Sequence, residues 1–357
     1  MFKIKSKIDY LKAPIEHFDM TRVDTTPIIN SYRKIRGSAG DIARAADIFD
    51  AMLRDKDCTI ILAQAGSAHA QGCLNIPADM VKYNMVDAVI STGACIFDMD
   101  IFEALGFRHY HGSDQMNDHE LRKLYIDRIY DTLIDEEELQ QCDAAIIGVA
   151  ESLPPKAYSS RELIREMGRW LASGNAKKKE SLVQLAYENG VPIFTPAMSD
   201  SSAGLGMIQY LWKLEDLERR VSHDSHKDFL EATKIKMNSL ATGVFIVGGG
   251  VPKNFVQDTV IGAEVVGCEA PMHKYAVQIT VADARDGALS GSTLKEASSW
   301  GKTDYYGGGT QMVFGEATAL WPLLASYAYH RGGWKNRKRR RLNDWLNALK
   351  SPSDMGK

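Results

Sequence analysis

The sequence has no paired cysteines, no long apolar run and almost no net charge, and each lack removes a class of protein. Cys58, Cys73, Cys95, Cys142 and Cys268 are odd in number and scattered, with no C-x-x-C spacing. That speaks against a disulfide framework and for reduced core thiols in a cytoplasmic protein. No stretch approaches the ~20 apolar residues of a membrane span, and the opening MFKIKSKIDYLK lacks the apolar core of a targeting peptide. With 43 Lys and Arg against 46 Asp and Glu, no global field draws nucleic acid or an anionic membrane. Neither G-x-G-x-x-G nor G-x-x-x-x-G-K-[ST] occurs, so a phosphate-bearing cofactor would have to be held without those loops.

What is present is an alternation of apolar β-branched runs with segments of helical period. The runs are TIILAQAG (59–66), VDAVIST (86–92), VPIFTPAMS (191–199), TGVFIVGGG (242–250), YAVQITVAD (275–283) and QMVF (311–314). Between them lie patterns such as SSRELIREMGRWLAS (159–173), whose Ser and Glu are spaced as in a capping box. Helix following strand predicts an α/β fold, one doubly wound and mostly parallel sheet with helices on both faces. No internal repeat or low-complexity linker divides the 357 residues. The expected organisation is an N-terminal arm (1–16), a single catalytic domain (17–333) and a basic tail (334–357).

The strand exits are rich in small residues: AQAGSAHAQG, STGAC, SDSSAG and GGGVPKN. An open parallel sheet binds ligands at such exits, and backbone approaches a phosphate closely only where side chains are absent. Any one of these loops reads equally as a plain tight turn; four together point to a dinucleotide-like ligand.

Two other stretches invite chemistry. HYHGSDQMNDH (109–119) is dense in His109, His111, Asp114 and His119, but its spacing misses that of binuclear zinc hydrolases and no second ligand cluster follows, so no metal is expected. The run KNRKRRR (335–341) beside Trp334 and Trp345 could grip nucleic acid. A solvated face of an amphipathic C-terminal helix, RLNDWLNALK, is the preferred account.

The most pointed feature is SSWGKTDYYGGG (298–309), which frames Lys302 between a tryptophan turn and three glycines. Upstream, in LKEASSW, Glu296 and Trp300 are four apart and share a helical face. An indole wall excludes water and disfavours an ammonium, whereas a carboxylate favours it; the conflict resolves if Glu296 binds a cationic substrate. A structural ion pair would equally account for Lys302, and residue chemistry alone leaves both readings open.

SSWGK with its carboxylate six residues before the lysine, the VGGGVPKN turn and YNMVDAVISTGA (83–94) resemble the deoxyhypusine synthase family, from about His17 to His330. The resemblance implies a Rossmann-like single domain that uses NAD without the usual glycine fingerprint, and a homotetramer with active sites at subunit interfaces. It implies that Lys302 is the catalytic lysine and that Glu296 and Trp300 hold the polyamine. It also implies cofactor-binding segments at Gly66, Ser67, Ser91, Thr92 and Gly93, at Asp200 and Asp286, and at Gly315 and Glu316. The implied chemistry is NAD-dependent oxidation beside the secondary amine of spermidine. Lys302 captures the four-carbon fragment as an imine with loss of diaminopropane. Transimination to an acceptor amine and return of the hydride follow.

The sequence also departs from that family's pattern. Leu205 and Gly206 stand where an aspartate is typical, Asn254 where a histidine is typical, and Leu289 where an aspartate is typical. Lysine chemistry is therefore expected to be kept while amine recognition changes, with Glu269 or Asp283 as replacement carboxylates. The expected acceptor is a free diamine, putrescine first, as in homospermidine synthases. The alternatives are a protein-modifying synthase acting on a translation-factor lysine and a catalytically silent NAD-binding protein.

Overall fold

The computed structural model describes residues 6–355, so the first five residues of the arm and the last two of the tail lie outside it. Six strands form one fully parallel sheet: β1 (Cys58–Gln64), β2 (Ala88–Ser91), β3 (Ile193–Phe194), β4 (Ala241–Val247), β5 (Tyr275–Thr280) and β6 (Thr310–Phe314). All six expected strands are present. Their spatial order is β6-β5-β4-β1-β2-β3, that of dinucleotide-binding doubly wound folds. The order reverses between β1 and β4, and that crevice, outside the carboxyl ends of the strands, is where such sheets bind ligands.

Alternation along each strand builds two cores. Ile60 and Leu62 of β1, Phe245 and Val247 of β4, and Val277 and Ile279 of β5 point into the larger cluster, which includes Phe49, Trp321 and Leu324. Ile61 and Ala63, Val244 and Ile246, and Ala276 point the other way, onto Val256, Leu294, Leu342 and Leu346. Every residue of β1 is buried, as expected for a parallel strand covered on both faces. The helix over Ser160–Trp170 has the expected capping box: Ser159 accepts from the Glu162 N–H and Glu162 accepts from the Ser159 N–H.

Two features differ from expectation. A three-stranded antiparallel sheet (Tyr110–His111, Ile126–Ile129, Thr132–Asp135) and a short parallel pair (Ala157–Tyr158 with Ser222–His223) were not foreseen. Strands of two to four residues are too short to show a period in sequence. The second difference is the basic run: Lys335, Lys338 and Arg341 are exposed as expected, but three of its arginines are tied down. Arg337 is buried and pairs with the buried Asp87, while its Nε–H donates to the Asn84 carbonyl at 3.0 Å. Arg339 donates to the carbonyls of Val81 and Lys82, and Arg340 to that of Lys56. The helix that follows, Leu342–Ala348, then completes the second core through Leu342 and Leu346.

Candidate active site

Lys302 is delivered by a helix stop. The helix Leu294–Ser299 starts at Thr293, whose hydroxyl accepts from the Glu296 N–H at 2.9 Å, and ends at Trp300. Gly301 then takes φ +70°, a left-handed conformation that costs a side-chain-bearing residue about 1 kcal/mol or more. Its N–H donates to the Ser298 carbonyl, and the Lys302 N–H donates to that of Ala297, at 3.1 Å each. This is the Schellman pattern, so the glycine between Trp300 and Lys302 is a conformational requirement. The Lys302 carbonyl accepts from the His273 N–H at 3.0 Å, tying the turn to the residues before β5.

Opposite stands the helix Gly250–Val265, which leaves β4 through the glycine turn. At Gly249 a Cβ would meet Ser290 Cα at 2.4 Å, so only glycine lets the loop before the lysine helix close onto this turn. Gly250 N–H donates to Ser290 Oγ at 3.0 Å, and Gln278 Nε2 donates to the carbonyls of Gly248 and Ser290. The helix presents Lys253, Asn254 and Asp258 towards Lys302.

Lys302 Nζ lies 2.6 Å from Asp258 Oδ1 and donates to Asn254 Oδ1 at 3.2 Å, while Asn254 Nδ2 donates to Asp258 Oδ2 at 2.7 Å. The ring is closed by three side chains. Lys302 is therefore held by a carboxylate in this state, and the Trp300 ring centre is 5.2 Å from Nζ. Beside them, burial pushes Lys253 down to about 8, Glu296 partly offsetting the shift and Lys302 reinforcing it. Lys253 Nζ donates to the Ser292 carbonyl.

These groups line a cavity of about 700 Å³ together with Glu296, Leu289 and Trp300. Lys302, Glu296, Trp300, Asn254 and Leu289, all anticipated from sequence, thus share one site. Its carboxylates among the lining residues are Glu296 and Asp258. Glu269 and Asp283 do not line it; Asp283 caps a short turn and pairs with Arg285 at 2.8 Å. Asp258 and Lys253 were missed. The four-residue step from Asn254 to Asp258 on a helix opened by glycines was the signal available.

The other anticipated residues lie at the same edge of the sheet. Thr92 N–H donates to the Gln64 carbonyl at 3.2 Å, and Cys95 Sγ links Thr92 Oγ1 to the Gly66 carbonyl, so the Gly66–Ser67 and Ser91–Gly93 loops meet. Gly93 packs on Ser201, next to the exposed Asp200, where a Cβ would come within 2.6 Å of the hydroxyl. Asp286 and the pair Gly315 and Glu316 sit apart from these, beyond β5 and β6. Glu316 is committed to capping, accepting from the N–H groups of Thr318 and Ala319. In the histidine-rich stretch, His109 is buried and its Nδ1 bonds Glu103 Oε1 at 2.8 Å. Glu103 is also bonded by His17 and Lys178, so His109 serves a buried ion cluster, and its neighbours His111 and His119 lie exposed away from it.

Comparison with known proteins agrees with this geometry. The deoxyhypusine synthase family model matches residues 27–328. The chain belongs to the deoxyhypusine synthase family. The "deoxyhypusine synthase-like protein" of Coxiella burnetii (strain RSA 493 / Nine Mile phase I) is 57% identical over 353 residues, spanning 99% of this chain and 98% of that one. The protein of that description from Caulobacter vibrioides is 56% identical, spanning 94% of this chain and 92% of its own. A crystal structure assigned as a deoxyhypusine synthase from Entamoeba histolytica shares the fold, with a TM-score of 0.56, 21% identity and coverage of 88% of this chain and 97% of that one.

The residues present fit the NAD expected of a deoxyhypusine synthase family member. Gly66 sits at the reversal of strand order with φ +92° and open space where a Cβ would lie, so its backbone is free to meet a phosphate. The exposed carboxylate of Asp200 stands beside the adjoining loop.

Proposed function

We propose that this protein is an NAD-dependent transferase that moves a four-carbon amino fragment between polyamines through an imine on Lys302, with a free diamine, putrescine first, as acceptor. The observation that carries this is one cavity holding a reachable lysine, an indole face and two carboxylates. Two carboxylates match the two ammonium ends of a diamine, and the apolar walls suit its methylene chain.

Glu296 holds one ammonium of the donor and Trp300 lies along its carbons, excluding water from the reacting centre. Bound NAD supplies a hydride acceptor that later returns the hydride, so the cycle involves no net oxidation. Lys302 attacks as the free amine, the C–N bond to the departing diamine breaks, and the fragment is held on Nζ as an imine. The acceptor amine then displaces Lys302 at the same carbon. Leu289 offers no charge, and Asn254 is engaged with Asp258 and Lys302, which favours an altered fit for the donor over that of a protein-modifying synthase.

A homotetramer with sites at its interfaces accords with the apolar surface at the cavity: Trp300 and Val265, which line it, are 64% and 80% exposed in the single chain. A cytoplasmic setting accords with five free cysteines, four of them buried. Among the described residues no helix is long and apolar enough to cross a membrane.

The test is incubation with NAD and spermidine, putrescine or agmatine, with and without a translation-factor substrate, and mass spectrometry of the products. Homospermidine-type products without protein modification are expected. Efficient modification of the factor overturns the free-amine reading, and absence of any amine product overturns the transfer itself.

A further inference from the structure

The pair Lys302 and Asp258 poses a problem for the site. The lysine that must attack a substrate is bonded at 2.6 Å to one of the two carboxylates available to receive that substrate. Asp258 is also fastened by Asn254 Nδ2 at 2.7 Å, so it cannot follow Lys302 when the lysine moves. Its side chain is 30% exposed and that of Lys302 12%, so the pair faces the cavity and is open to an entering cation. Glu296, by contrast, makes no salt bridge among the described residues, and its charge is felt by Lys253.

Resting on the amine-transfer reading, we propose that Asp258 is the second ammonium-binding residue of the site, and that an ammonium of the bound donor amine takes this carboxylate from Lys302 and so frees the lysine to react. The entering ammonium replaces the lysine ammonium on Oδ1, leaving the charge on Asp258 balanced. Lys302, losing its carboxylate partner as the donor enters and before the site closes over it, passes one proton to solvent and attacks as the free amine. Another ammonium of the donor rests on Glu296. The lysine is thereby kept unreactive in the empty site and released only by a substrate long enough to span both carboxylates. The neutral Leu289 leaves Asp258 as the carboxylate that serves this end of the cavity.

The same exchange requires Lys302 and the diamine to compete for one carboxylate. Titration calorimetry with 1,4-diaminobutane in the presence of NAD reads this directly on the full chain. D258N is expected to weaken diamine binding on the order of 10-fold or more, the usual worth of a charge-assisted bond. K302M, which removes the competitor, is expected to tighten binding by about 10-fold, and to give no gain when added to D258N. A K302M variant that binds no more tightly than the wild type would overturn the proposal, as would a gain that survives in the D258N background. K302M/D258N, which carries neither charge, serves as reference if a single variant folds poorly; affinity equal to the wild type in that protein would also overturn it. These measurements read binding and not turnover. Failure to form any transfer product therefore leaves them decisive for Asp258.

Discussion

Lys302 Nζ and Asp258 Oδ1 stand 2.6 Å apart across two helices that a pair of sequence motifs, SSWGK and VGGGVPKN, bring face to face. That contact is the ion pair a structural lysine would make, and a reacting Lys302 has to leave it.

Replacing Lys302 by Arg should keep the fold, because a guanidinium can still pair with Asp258. Transfer should be lost, since arginine stays charged and forms no imine with the substrate carbon. Borohydride reduction followed by intact-mass spectrometry should trap an adduct on the wild type alone. Product formation by the variant at wild-type rate would show that Lys302 is not the nucleophile.

Trp300 is 64% exposed, so Trp300→Ala should lower stability by less than about 1 kcal/mol. Turnover should fall by at least ~10-fold through loss of the wall over the substrate chain. Melting temperature and rate measured on one preparation separate these. A large thermal loss with a small kinetic one would mark a structural tryptophan.

Leu289→Asp would place a third carboxylate in the cavity. A buried carboxylate is favourable only beside a cation, so donor preference should shift towards amines with a charge at that point. Product profiles for spermidine, putrescine and agmatine measured against the wild type decide this. Identical profiles would mean that Leu289 does not meet the substrate.

Asp143 provides a pH dependence away from the site. Burial pushes its carboxyl up to about 6; a contact from Ser202 opposes the shift and Asp98 adds to it. The folded state therefore holds this proton more tightly than the unfolded chain, whose carboxyl titrates near ~4. The stability it contributes is present below about pH 4 and lost as pH rises through about 6. Asp143→Asn should raise stability by about 1 kcal/mol near pH 7.5, or ~2 °C in Tm, and by almost nothing near pH 4. Thermal melts at the two pH values check the sign.

Arg337→Met would leave the buried Asp87 with the Ile60 N–H at 2.8 Å and the half-buried Arg340 at 3.8 Å, at a cost of about 3 kcal/mol. Adding Asp87→Asn should restore most of that loss. Denaturant unfolding of the single and double variants measures it. An additive pair of losses would show that the contact contributes no coupling.

The fold and the turn that carries Lys302 were legible in the sequence because both rest on local rules. Apolar runs of four to nine residues bounded by Gly, Pro, Ser or Asp and alternating with helical segments read as parallel strands, and each of the six lies in the parallel sheet. The residues at Trp300, Gly301 and Lys302 encode a helix stop whose glycine sets the backbone and whose next residue is the lysine. The tertiary structure decided what no local pattern states. Asp258 lies 44 positions before Lys302 and became its partner only when strand order placed β4 beside β5 and turned the two following helices together. Arg337 reads as one of a run of charges, yet it is buried because Asp87, 250 positions away, waits beneath it. Charged side chains are free to pair with any opposite charge that the chain brings near, so their roles follow from packing and not from their neighbours in sequence.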